Sequence, residues 1–176
     1  MTKVVDLQAY RAKAIEERGF GPWLKRFKES YGLKTRLCHL SDSTLYYLAE
    51  PGEPSSVAYY ELIMGILDLG AAPEFYYLNN HNQMTVVDIH LFLADQVRFE
   101  MMRRLGWIIN YAGEKFSLSE MIQDFTNVMN ACKGKPPELK TSHPDYSEYI
   151  QLIPAEKEVF IRRKLQEGLD TFKKRL

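Results

Sequence analysis

Residues 84–107, MTVVDIHLFLADQVRFEMMRRLGW, constrain this chain more than any other stretch. At about 100° per residue on a helical wheel, Val86, Ile89, Leu93, Val97, Met101 and their apolar neighbours point nearly all round. A helix so uniformly apolar belongs in the middle of a domain with other helices around it. It also carries Asp88, His90, Asp95, Arg98 and Glu100. Charges in such a position must be paired or hydrogen-bonded, so this segment is the expected locus of any site.

The chain has 176 residues, which reads most simply as one helical domain spanning 1–176. Lys plus Arg and Asp plus Glu number 23 each, so no overall field draws it to nucleic acid or to an anionic membrane. Cys38 and Cys132 stand outside any CxxC or Cys/His spacing and read as small hydrophobes in a reduced compartment, with a single disulfide as the alternative. The N-terminal residues lack the apolar core of a signal peptide, and no apolar run is long enough to span a bilayer. Cytoplasmic residence is the expectation.

Helix signals dominate the rest. Asp6 is positioned to cap a first helix that Gly19 ends, and Gly21-Pro22 restarts a second as far as Gly32. Ser41 or Asp42 opens a short helix through Ala49, and Ser55 or Ser56 a longer one to Gly70. Residues 74–87 are the only serious strand candidate: EFYYL and MTVV flank the polar run NNHNQ, which suggests a small β-hairpin with Asp88 capping the helix after it. Ser117-Leu118-Ser119-Glu120 forms a capping box, and the apolar stripe beyond it runs to Cys132. A last helix starts at Pro154, its seam including Ile161, Leu165, Leu169 and Phe172. The fold class is therefore mainly α: a compact multi-helix domain around a central buried helix at about 84–107.

The candidate sites cluster on that helix. Asp88 and Asp95, seven residues apart, lie within about 20° of one another and could act as paired carboxylates. More economically, Asp95 pairs with Arg98 one turn on. His90 has Leu93 and Ala94 where a helical metal site needs ligands, and no ExxH pair occurs, so no metal or cofactor is expected. Arg98, Arg103 and Arg104 could form an anion pocket, or the last two could pair with Glu100 at i+3 and i+4. Of the three Tyr-Tyr pairs, each is expected to send one ring inward and one to the surface. Nucleophile and phosphate-loop motifs are missing.

These features favour a non-enzymatic helical module that binds another protein or itself. Its first docking candidates are Phe20, Trp23 and Phe27, in an N-terminal arm of residues 1–32 that packs on the body or on a partner. The alternative is a small-molecule or anion site formed by Asp95, Arg98 and His90.

Overall fold

The computed structural model describes residues 6–176, so the first five residues of the N-terminal arm lie outside it. The protein is mainly α-helical, and its buried apolar side chains form one cluster from Phe20 to Phe172. Among the described residues no helix is long and apolar enough to cross a membrane.

Helix α1, Leu7–Phe27, starts where expected: the Asp6 carboxylate accepts from the backbone N–H groups of Gln8 and Ala9 at 3.0 and 3.2 Å. It does not stop at Gly19. The helix runs on through Pro22 to a left-handed Lys28 at φ 60°. Gly19 is buried instead, because a second helix, α3 (Glu53–Ile66), crosses there at backbone distance. A Cβ on Gly65 would lie 2.3 Å from the Arg18 carbonyl oxygen, and one on Gly19 would lie 2.4 Å from Ile66 Cγ1. Pro22 has no N–H to return to the Arg18 carbonyl, and the bare Cα of Gly65 sits against that oxygen. Cross-links then fix the angle. Arg18 Nε donates to Gly65 O at 3.1 Å, Trp23 Nε1 to Ala58 O at 2.7 Å, and Arg26 pairs with Glu61 at 2.6 Å.

Between these lies α2, Asp42–Ala49, capped by Ser41, whose hydroxyl accepts from Thr44 N at 3.2 Å. The segment expected as a hairpin, 74–87, is helical. Ala72–Tyr77 is a 3-10 turn, and the central helix α4 already begins at Asn80 and ends at Arg104. Its N-cap is Asn79, accepting from Asn82 N at 2.8 Å, so Asp88 is a mid-helix residue rather than the cap. Gln83 explains why the amide-rich first turn holds. Its side chain donates to the carbonyls of Phe75 and Tyr76 at 3.2 and 3.3 Å, tying the turn to the helix.

Helix α4 contacts α2, α3 and two later elements, α5 (Leu118–Gln123) and α9 (Leu165–Lys173). After it, Gly106 at φ 77° turns the chain into β1, Ile108–Ile109. That strand pairs antiparallel with β2, Glu138–Leu139, in the register Ile108↔Leu139. The small two-stranded sheet thus exists, but its strands come from elsewhere in the chain. Ser117 caps α5 through Glu120 N at 3.0 Å. The expected single helix to Cys132 is two, since Asp124 at φ −117° and ψ 35° separates α5 from α6, Phe125–Cys132. A short α7, Tyr146–Tyr149, precedes α8, which runs Pro154–Arg163 with its proline in the first turn. Cys38 and Cys132 are both free thiols.

Candidate functional site

Of the charges on α4, only Glu100 is wholly enclosed, at 0 % exposure. It faces the arginines of its own last turn. Arg103 grips it with two hydrogen bonds, Nε to Oε2 at 2.8 Å and Nη2 to Oε1 at 2.6 Å. Arg104 Nε adds a third at 3.1 Å and the Tyr111 hydroxyl a fourth at 2.9 Å. Burial alone would raise the Glu100 carboxyl; the donors from Arg103, Arg104 and Tyr111 outweigh it and hold the group below its ordinary value. Burial and the nearby carboxylate drive the Tyr111 phenol upward.

The network extends well beyond the helix. Arg104 also donates to Asp42 at the start of α2 and to Leu37 O, both at 2.9 Å. Arg175, past the end of α9, reaches Asp42 at 3.1 Å and the Arg104 carbonyl at 2.8 Å. Every charge in this group is answered by another. The cluster is a fastening for α2, α4 and α9, and it leaves no free acid or base for chemistry.

The remaining expected site residues form no hydrogen bond or ion pair with one another. Asp95 pairs with Arg162 of α8, at 2.9 and 2.6 Å, instead of with Arg98. Arg98 Nε donates at 3.3 Å to the carbonyl of Ala49, the last residue of α2. The end of a helix offers carbonyls without intrahelical partners and a partial negative charge, which suit an arginine there. Asp88 is exposed. His90 is half-buried between Tyr59 and Tyr60, with ring centroids 4.9 and 5.2 Å away. Burial, reinforced by Arg98, lowers its pKa. Folding therefore disfavours the imidazolium, and stability should fall as pH drops below the ordinary histidine value of about 6.5. Denaturant titrations followed by circular dichroism across about pH 5 to 7 should show this slope, reduced in His90→Gln; equal slopes would reject it.

No group of three or more His, Cys, Asp or Glu among the described residues is arranged to hold a metal ion. Phe20 and Trp23 are 3 % and 0 % exposed against α3, so they serve the core and are not free to dock a partner; Phe27 is half-buried on Tyr47.

Large apolar side chains are exposed on two other surfaces, besides Ile150, Ile153 and Val159 around α8. On α4 the outer strip His81, Met84, Asp88 and Leu91 meets solvent, with Met84 66 % and Leu91 59 % exposed. The 3-10 turn tied to its start adds Tyr76 and Tyr77, both rings outward rather than one in and one out. The second is the N-terminal end of α1, where every residue from Asp6 to Arg11 is exposed, Leu7 and Tyr10 among them. The sequence pointed to the N-terminal arm, but to Phe20, Trp23 and Phe27 within it rather than to Leu7 and Tyr10, and it did not single out Met84 and Leu91. Met84 and Leu91 carry the same apolar signal as their buried neighbours on α4.

No protein-family model matches the chain, and no curated protein or solved structure shows significant similarity to it.

Proposed function

We propose that this chain is a self-associating helical module, in which the projecting end of α1 from one copy docks on the outer face of α4 in the next. The observation that carries the reading is the exposed apolar strip of Tyr76, Tyr77, Met84 and Leu91, a concentration of large side chains of the kind found where proteins associate. Charge selects the partner. The strip is flanked by exposed Glu74 and Asp88, so two such faces brought together would set like charges against each other. The end of α1 offers the complement: Leu7 and Tyr10 with exposed Arg11 and Lys13 beside them. Unlike surfaces meeting head to tail build rings or open chains.

Size-exclusion chromatography with light scattering should show mass rising with concentration. Leu91→Asp and Tyr10→Asp should each be monomeric, because each spoils one half of the contact. Mixing the two variants should give one-to-one dimers and nothing larger, since each retains only the half the other has lost. A wild-type chain that stays monomeric at high concentration, or variants that fail to complement, would refute the reading.

A further inference from the structure

A concavity of about 970 Å³ lies where the 3-10 turn Ala112–Lys115, the loop before β2, and α7 and α8 come together. Its size falls within the range of small-molecule sites. Three lysines line it, Lys115, Lys135 and Lys157, and none forms an ion pair among the described residues. Lys157 Nζ instead rests 5.1 Å over the ring of Tyr149. Phe116, Tyr146 and Tyr149 supply aromatic wall. The lining acids are Glu138, which accepts from Asn110 at 3.4 Å, and Glu114.

Glu114 Oε2 is enclosed without a hydrogen-bond donor, and its carboxylate lies within charge range of Arg103 and Tyr111. A suitable ligand for the concavity therefore needs two parts: an anionic end for the lysines and a planar ring for the aromatic wall.

We infer that this concavity binds a nucleotide-sized organic anion, with its anionic group among Lys115, Lys135 and Lys157 and its planar ring against Phe116, Tyr146 and Tyr149. The site is independent of the association surfaces on α1 and α4. Charge-assisted contacts from lysine fix the anion, and aromatic side chains accept a flat ring by stacking.

Isothermal titration calorimetry of the full chain with adenosine monophosphate tests this, with inorganic phosphate and adenosine as its two halves. The nucleotide should bind saturably at one site, with each half weaker by about tenfold or more. Lys115→Glu and the double variant Lys135→Glu/Lys157→Glu should each weaken it by about tenfold. Circular dichroism would confirm their fold, and exposed Lys115 guards against a double variant that unfolds. Leu91→Asp should change neither nucleotide nor phosphate binding. Absence of saturable nucleotide binding, phosphate binding as tightly as the nucleotide, or indifference to the lysine reversals would each overturn the inference.

Discussion

Gly65→Ala is expected to be among the most damaging single-methyl changes in this protein. The added Cβ would stand 2.3 Å from the Arg18 carbonyl oxygen and 2.9 Å from Gly19 Cα. Both are backbone atoms, so no side chain can swing aside. The helix pair must separate, and the separation strains the Trp23–Ala58 and Arg18–Gly65 bonds that span it. In an exposed helix the same substitution would stabilise by up to about 1 kcal/mol through propensity. Here overpacking at about 1–3 kcal/mol dominates, lowering the melting temperature by roughly 2–12 °C for a chain of this size. Thermal melts read the result, and an unchanged or raised midpoint would show that α1 and α3 do not cross at these glycines. Gly21→Ala is the control: nothing lies within 4 Å of its Cβ position.

Glu100→Leu should cost more. The substitution takes the carboxylate from Arg103, Arg104 and the Tyr111 hydroxyl at once and leaves the buried Tyr111 hydroxyl and Arg104 Nε without an acceptor. Breaking a buried pair by deleting one partner costs about 3–5 kcal/mol, a fall of roughly 6–20 °C in midpoint. Glu100→Gln keeps an acceptor and should fall between the two. The acid limb supplies a second readout. Because the folded carboxyl titrates below its unfolded value, its contribution is full above the ordinary glutamate range near about 4.3 and disappears as pH falls through the lower folded value. The wild type should therefore lose stability toward acid more steeply than Glu100→Leu. Parallel acid limbs, or a loss of under about 1 kcal/mol, would mean that the network does not fasten the helices.

What the sequence revealed depended on distance along the chain. Glu100 with Arg103 and Arg104 was readable because i+3 and i+4 neighbours meet on any helix. Tyr111, Asp42 and Arg175 were not, since only the tertiary fold brings them to the same carboxylate. The same rule misdirected Asp95. Its local neighbour Arg98 was the natural partner, yet Arg98 caps α2 and Asp95 finds Arg162, 67 residues away. Glycines misled for a related reason. Gly19 has the composition of a helix stop, and only the position of α3 reveals it as a point of close approach. The amide-rich run before Met84 resembled a loop because Asn and Gln favour local hydrogen bonds over helix interiors; here Asn79 and Gln83 spend those bonds securing the helix.

The contact between Asp42 and Arg175 joins residues 133 positions apart, at 3.1 Å, with both side chains more than a third exposed. Closing a loop that long carries a large entropic penalty, and a solvated ion pair contributes only about 0–1 kcal/mol toward it. The clasp cannot hold the terminus by itself. Leu169 and Phe172, 5 % and 0 % exposed, anchor the end. Residues 173–176 can thus detach at small cost, whereas loosening α9 itself means drawing a phenyl ring out of the interior.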